Sequence, residues 1–428
     1  MNLRKYFVEF SLLILIKLTL EYLYINVIAL NYSYSGLTYV FSYNNYVIGW
    51  IIYLFGYLIL LRKKKLYIFE IFYLLYFIYV LPTIVFFELS NKSISDFLIL
   101  IIPYFVILLF VFERPEKQIK SFPNGKIIVL VLSFLAVVSV IIHYLFSTGG
   151  NFVLSFDKVY DFREKFGESN LSGIFGYLNS WAMKIFLVVL YSWALNQKNI
   201  KALILFISFI LIVFMLSGHK EVFSGLFLIF FFNFLFKQKE KRRRIFILLS
   251  LFLLLILIAI NSFINGLNIL DSLIIRRLFF VPIQLNFTYI EFFSNHEYVY
   301  WSNSVFKYFI NYPYNLPPSL LIGDYIGLYG MSANTGFIAT GYMHFGYLGL
   351  LIYVFLTIII LRVINTLGKK IKKYTVLSII FLPINTLFMA SDLLSTLLTH
   401  GLLIAILVLW LYEDKVYRIQ FFNKKFKI

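Results

Sequence analysis

The sequence contains no cysteine, which excludes disulfide bonds, thiolate metal sites and cysteine nucleophiles. Charged residues are also scarce: they make up 14% of the 428 residues, against about 25% in an ordinary soluble domain. The sequence has no P-loop, no HExxH or other closely spaced metal ligands, and no GxSxG serine elbow. We therefore expect no ATPase, no metal-dependent enzyme and no serine hydrolase, and we assign no cofactor.

Apolar residues make up 61% of the chain, and they occur in blocks of about 16 to 25, long enough to cross about 30 Å of hydrocarbon as helices. The blocks are apolar on all sides, whereas the helices of a large soluble core would be amphipathic. The pattern predicts an all-α polytopic membrane protein, a single membrane domain over 1–428 with about twelve transmembrane helices. The predicted spans are 6–30, 44–61, 66–88, 97–112, 127–146, 174–195, 202–216, 222–236, 245–261, 335–361, 375–390 and 393–412.

The net charge of +18 would also suit a nucleic-acid-binding protein, but the basic residues occur in short clusters between the apolar blocks. Alternate connections hold 28 of the 38 lysines and arginines. This bias is the positive-inside rule, so we predict that both termini are cytoplasmic and that nucleic acid is not a partner. The basic segments are 1–5, 62–65, 113–126, 196–201, 237–244, 362–373 and 413–428.

Two connections on the opposite, outer side are long: 147–173, and 262–334 between the ninth and tenth spans. A structureless loop of the second loop's size is rarely accidental. Its first half, 269–293, has the pattern of an amphipathic helix interrupted by Pro282, which we expect to lie along the outer membrane interface. Its second half is rich in aromatic residues, proline and asparagine.

A few cations remain on the outer side, where the orientation rule leaves little positive charge. Arg276 and Arg277 are adjacent in the large loop, and Arg163 lies in the other long loop. Guanidinium groups bind phosphate oxygens in a bidentate way, which favours a site for a lipid-linked pyrophosphate. Anchoring to lipid headgroups, or pairing of Arg163 with neighbouring acidic residues, is the alternative. Lys220 lies in an outer turn, 217–221, that is either functional or an ordinary polar hairpin.

His344 follows the large loop and lies about two and a half turns inside the tenth predicted span. The ordinary pKa of histidine suits a general base, although a lone membrane histidine is as often a hydrogen-bonded packing residue. Charges also occur within predicted spans. Lys17 and Glu21 are four residues apart and are expected to neutralise each other, and a structural salt bridge is favoured over an ion relay.

The arrangement as a whole resembles the O-antigen and capsule repeat-unit polymerases (Wzy type), which are related to the O-antigen ligases. Four phrases carry the resemblance: ANTGFIATGYMHFGYLGL, LSGHKE, YDFREKF with Arg163, and RRLFFVP at the start of the large loop. In the second phrase the family more usually has arginine where this chain has Lys220. The match covers the whole topology through short motifs.

The resemblance implies a metal-independent, GT-C-like (class B) glycosyltransferase at the outer face of a bacterial cytoplasmic (inner) membrane. Such an enzyme transfers a growing glycan from undecaprenyl pyrophosphate to an incoming lipid-linked repeat unit, and a chain-length regulator protein is a candidate partner besides the lipid-linked oligosaccharide and the bilayer. His344 is the candidate base, with Asp324 and Glu221 as alternatives. The candidate substrate and pyrophosphate ligands are Arg163, Lys220, Arg276, Arg277 and Asn334.

Two other functions compete with this one. An O-antigen ligase shares the long late loop and the outer cations, so the sequence separates it poorly from a polymerase. A flippase for lipid-linked oligosaccharides is a transporter of similar span number, but we expect it to have short outer loops throughout. The length of 262–334 argues against it.

Overall fold

The structure is a computed structural model. It describes residues 3–63, 66–111, 122, 124–153, 158–166, 173–219, 222–238, 242–263, 270–412, 418–421 and 424–427. Each of the twelve predicted spans falls on an apolar helix. Nine of the helices in these ranges are long and apolar enough to cross a membrane, and three more, Ile94–Phe110, Phe223–Lys237 and Lys373–Met389, are shorter. These helices confirm the prediction of a helical, multi-pass membrane protein. The number of twelve crossings stays a prediction.

The α-helices are Leu3–Leu23, Ala29–Tyr32, Tyr43–Arg62, Phe69–Leu75, Leu81–Leu89, Ile94–Phe110, Gly125–Ser147, Val159–Phe166, Ile174–Trp181, Leu187–Asn196, Ile200–Ser217, Val222–Lys237, Arg242–Phe263, Val281–Asn295, Pro318–Tyr325, Phe337–Gly368, Lys373–Met389, Leu393–Leu398 and Leu402–Leu411. Short π-helical stretches continue several of them: Tyr24–Ile28, Tyr76–Val80, Ala182–Phe186 and Asp271–Phe280. Ser33–Ser35 is a 3₁₀ turn, and strands Arg418–Phe421 and Lys424–Lys427 form an antiparallel hairpin pairing Arg418 with Lys427.

The chain divides into two compact units. Unit 1 comprises Met1–Glu113, Lys237–Arg362 and Leu387–Leu393, and unit 2 comprises Arg114–Phe236, Val363–Thr386 and Leu394–Ile428. Unit 2 has an apolar core of its own, formed by helices Gly125–Ser147, Leu187–Asn196 and Ile200–Ser217. In this unit the Nζ atom of Lys184, a residue that the sequence places within a span, lies 3.2 Å from Nδ1 of His400.

The first half of the large outer loop folds into one continuous helix, residues 271–295, in unit 1. Pro282 does not interrupt it, and lies where the π-helical stretch Asp271–Phe280 passes into the α-helix Val281–Asn295. All eight residues of 283–290 are buried. The expectation of an amphipathic helix lying on the membrane interface is therefore wrong for this part of the helix, since protein covers residues 283–290 on every side.

Polar contacts fix helix 271–295 against chain segments that the predicted topology places on the outer side. The Gln284 amide donates to the carbonyl oxygen of Ser35 at the end of the first span. Glu291 lies 3.6 Å from Lys92, in the connection after the third span. On another face, Thr335 donates to Oδ1 of Asn286 at 2.9 Å. These contacts hold the helix against the ends of predicted spans within unit 1.

Helix Phe337–Gly368 is broken near its start, because Phe345 and Gly346 have non-helical backbone angles. Gly346 has a φ of +58°, and an added Cβ there would meet the Tyr298 ring. The first arm, 337–344, runs alongside 286–295 in the same direction, since Thr335 bonds Asn286 and the Tyr342 hydroxyl lies 3.2 Å from that of Ser294. His344 therefore ends a short buried arm and does not lie inside an uninterrupted span as predicted.

Gly336 sets the start of this arm, because an added Cβ would overlap the carbonyl oxygen of Phe388. A backbone atom cannot swing aside as a flexible side chain can. We expect Gly336→Ala to lower the free energy of unfolding by roughly 2 kcal/mol. The measurement is thermal unfolding in detergent. The control is Gly327→Asn, at an open site with a φ of +78°, which asparagine tolerates; an equal loss in both variants would contradict the steric explanation.

Candidate functional site

Four side chains from three separate segments of unit 1 form a polar cluster. They are His344 at the end of the first arm, Tyr353 beyond the break, Asp392 between the last two apolar segments, and Trp301 in the loop after helix 271–295. Nε2 of His344 lies 3.5 Å from Oδ2 of Asp392. The Tyr353 hydroxyl donates to the same oxygen at 2.7 Å and accepts the indole N–H of Trp301 at 2.9 Å. This cluster is called the His–Asp cluster below.

The loop is also attached to the arm through its backbone. The N–H groups of Val299 and Tyr300 donate to the carbonyl oxygens of Met343 and His344, each at 3.0 Å. The next N–H, that of Trp301, donates to Nδ1 of His344 at 3.2 Å. The arm and the loop are thereby held in a single register around the imidazole.

These bonds assign the proton of the His344 imidazole. A backbone N–H only donates, so Nδ1 is the acceptor and Nε2 carries the hydrogen, which faces Asp392. In this arrangement neither ring nitrogen of His344 is available to take a proton from a substrate. The acceptor of the His–Asp cluster is the carboxylate of Asp392, whose side chain is 20% exposed against 3% for His344. His344 orients this carboxylate.

Sequence reasoning missed Asp392. The residue follows Ser391 in the two-residue polar interruption between the predicted spans 375–390 and 393–412. A single carboxylate at a predicted outer turn is a signal for a site, but its partners His344 and Tyr353 come from a different span.

Arg276 and Arg277 lie together near the start of helix 271–295. The guanidinium of Arg276 is 4.8 Å from the centre of the Tyr32 ring, a cation–π contact. Its buried Nε has no hydrogen-bond partner among the residues that the structure describes, while Arg277 is exposed. Nearby, the Asp271 carboxylate accepts a hydrogen bond from the Asn261 amide at 2.6 Å, which lowers its pKa. Burial has the larger effect and raises the pKa of Asp271 above its usual value. This end of the helix retains donors for an anion.

The structure separates the arginines from the His–Asp cluster. Eighteen residues lead from Arg276 to Ser294 along helix 271–295, roughly 25 Å at about 1.5 Å per residue. The first arm continues in the same direction to His344. A base must lie within hydrogen-bond reach of the hydroxyl it activates. Arg276 and His344 therefore cannot serve one reacting carbon. The expectation from the sequence that they belong to a single reaction site is wrong.

The other predicted site residues are distributed elsewhere. Asp324, in helix Pro318–Tyr325, accepts the N–H of Gly330 at 3.4 Å and so closes its own turn. Asn334 is exposed, three residues before the first arm begins and ten residues before His344. Arg163 belongs to helix Val159–Phe166 of unit 2. Lys220 and Glu221 lie outside the described residues.

The loop that carries Trp301 presents exposed aromatic rings. Its Tyr308 and Phe309 are 82% and 84% exposed, and Tyr329, beyond helix Pro318–Tyr325, is 83% exposed. Such rings offer apolar faces with little conformational entropy to lose, which is why aromatic side chains are favoured at binding surfaces. Tyr308 and Phe309 lie on the loop attached to the His–Asp cluster.

No family model, curated protein or solved structure matches this chain. Within the described ranges no three side chains among His, Asp and Glu come close enough together to hold a metal ion.

The assigned tautomer of His344 is testable directly. In protein carrying ¹⁵N-labelled histidine, we expect the resonance pair removed by His344→Gln to be that of an imidazole protonated at Nε2 only. The other four histidines are unaffected by this substitution and provide the internal reference. A proton on Nδ1 would contradict the hydrogen bond from Trp301.

Proposed function

We propose that this chain is a polysaccharide repeat-unit polymerase that crosses a bacterial cytoplasmic membrane twelve times and acts at its outer face. It transfers a growing glycan from undecaprenyl pyrophosphate to the far-end hydroxyl of an incoming lipid-linked repeat unit. The observation that carries the proposal is the separation of two polar sites within unit 1: the arginines near the start of helix 271–295, and the His–Asp cluster beyond the other end of that helix, roughly 25 Å away.

A polymerase of this kind has to hold an acceptor at both ends. The acceptor oligosaccharide bears a lipid pyrophosphate at one end and the attacking hydroxyl at the other. We assign the acceptor pyrophosphate to Arg276 and Arg277, whose guanidinium groups suit phosphate oxygens. The oligosaccharide then extends along the loop with its exposed rings, and its far hydroxyl reaches Asp392. The resemblance alone suggested the leaving pyrophosphate for these arginines, and the separation favours the acceptor instead.

The lipid chain of the donor has a groove of its own in this proposal. A groove of about 410 Å³ lies between helix Ile94–Phe110 and the arm after Gly346, lined almost entirely by apolar side chains from Leu98 to Val354. It begins at Ser95 and at Tyr347, three residues beyond His344. An isoprenoid tail in this groove would bring its pyrophosphate toward the His–Asp cluster. Lys92, three residues before Ser95, is a cation for that pyrophosphate.

The chemistry assigned to the His–Asp cluster is general-base catalysis. Asp392 accepts the proton of the acceptor hydroxyl, and the oxygen attacks the anomeric carbon of the donor glycan. The bond from that carbon to the pyrophosphate breaks, and the pyrophosphate leaves on its lipid. His344 and Tyr353 donate toward Oδ2 of Asp392 and so hold the carboxylate in place, as a preorganised site requires.

Asp392→Asn removes the base but keeps the shape of the side chain. We expect polymer synthesis to fall by about 100-fold or more, with lipid-linked single repeat units accumulating. The assay is the size profile of polysaccharide made from purified lipid-linked repeat units. The matched control is Glu297→Gln, at an exposed carboxylate on the loop that carries Trp301. This variant should retain the wild-type size profile.

Other results, in this assay or in cells that lack the gene, would reject the proposal. Wild-type chain lengths from Asp392→Asn, at a normal protein level, would remove Asp392 from the mechanism. Long chains remaining on the carrier when the gene is deleted would identify a ligase, and single units trapped on the cytoplasmic face would identify a flippase.

The two-ended acceptor site predicts selectivity for acceptor length. A lipid-linked acceptor shorter than the natural repeat unit cannot reach from Arg276 to Asp392, so we expect its elongation to be at least tenfold slower. Arg277→Ala should weaken binding of the full-length acceptor and raise its KM. The difference in elongation rate between the short and the full-length acceptor should then become smaller. Arg62→Ala, at the exposed end of helix Tyr43–Arg62, is the control. Equal rates for short and full-length acceptors would exclude the two-ended arrangement.

A further inference from the structure

Unit 1 contains a buried cluster of charges that the proposed function does not use. The predicted contact between Lys17 and Glu21 is confirmed, because the Lys17 ammonium donates to Oε1 of Glu21. It also donates to Oε2 of Glu88, at 2.7 Å, a partner that the sequence analysis did not identify. The side chains of Lys17 and Glu88 are completely buried, and that of Glu21 is 9% exposed.

The cluster lies inside the bundle of spans. Glu88 faces Gly49, and an added Cβ at Gly49 would overlap the Glu88 carboxylate. Gly49 is six residues into helix Tyr43–Arg62, roughly 9 Å from its first residue at about 1.5 Å per residue. The Trp50 ring on the same helix covers the ammonium of Lys17 at 4.1 Å. Water therefore does not screen these charges from one another.

The count of charges in this cluster is unbalanced. Two ionised carboxylates and one ammonium would leave a net negative charge in an apolar interior, which is strongly unfavourable. Among the described residues, two tyrosines lie beside the carboxylates: Tyr46, whose hydroxyl donates to Oε2 of Glu21 at 3.3 Å, and Tyr53, which interacts electrostatically with Glu21. A phenol is neutral and does not correct the balance. One additional proton does.

The hydrogen bonds indicate which carboxyl group holds that proton. Glu21 receives a donor on each oxygen, from Lys17 and from Tyr46. Glu88 receives one donor, on Oε2, and its buried Oε1 has no hydrogen-bond partner among the described residues. An ionised oxygen without a donor is more costly to bury than a neutral hydroxyl.

We propose that Lys17, Glu21 and Glu88 form a buried proton-binding site in which Glu88 carries the proton. A metal cation is a poorer occupant, because the Lys17 ammonium already lies between the two carboxyl groups and would repel it. The inference is independent of the proposed polymerase activity, since it depends only on the contacts and charges of these three side chains.

The test is infrared spectroscopy of the full-length protein in lipid nanodiscs at neutral pH, with glutamate labelled by ¹³C at the side-chain carboxyl. A protonated carboxyl absorbs separately from a carboxylate, and the label separates glutamate from aspartate. We expect a protonated-glutamate band in the wild type and its loss in Glu88→Gln. Glu21→Gln should lose it as well, because one carboxylate then balances Lys17.

Lys17→Gln should act in the opposite direction, with the band increasing about twofold if both carboxyl groups become protonated without the ammonium. Glu291→Gln, at an exposed carboxylate paired with Lys92, is the control and should leave the band unchanged. A wild-type spectrum without a protonated-glutamate band overturns the proposal even if a variant fails to fold. A band that survives Glu88→Gln overturns it too.

Discussion

The arrangement of unit 1 depends on the enclosure of the middle part of a helix that carries polar side chains. Helix 271–295 is buried on every side over residues 283–290, so the amides and hydroxyls it carries lose water and require protein partners. Gln284 bonds Ser35, and Asn286 bonds Thr335. Each such bond fixes a segment far away in the sequence. The end of the first span and the first arm are both aligned on this one helix.

The same constraint explains what the sequence could and could not predict about the fold. Apolar blocks are a local property, and each predicted span coincides with a helix. The surroundings of helix 271–295 are not local. Gln284, Asn286 and Thr288 resemble the polar face of an interfacial helix when their partners are unknown. Only the contacts with residues near 35 and 335 show that these side chains face protein.

The site residues divide in a similar way. Arg276 and Arg277 could be recognised from the sequence because cations are rare on the predicted outer side, and the Lys17–Glu21 pair because helix periodicity places residues four apart on one face. Asp392 and Glu88 could not, since each becomes part of a cluster through a side chain on another span. Their partners are 48 residues away, at His344, and 71 residues away, at Lys17. Separation in the sequence was the obstacle, whereas the residue types were unremarkable for their positions.

The break at Phe345 and Gly346 has a consequence for the fit of the chain to the bilayer. Phe337–Gly368 has 32 residues and, if straight, would be roughly 48 Å long at about 1.5 Å per residue, far more than the roughly 30 Å thickness of the hydrocarbon layer. A rod of that length would have to tilt strongly or thicken the lipid around it. Ending the first arm at His344 leaves a second arm, 347–368, that matches the layer with little tilt. The surplus length, which would otherwise be hydrophobic mismatch, is placed inside the protein.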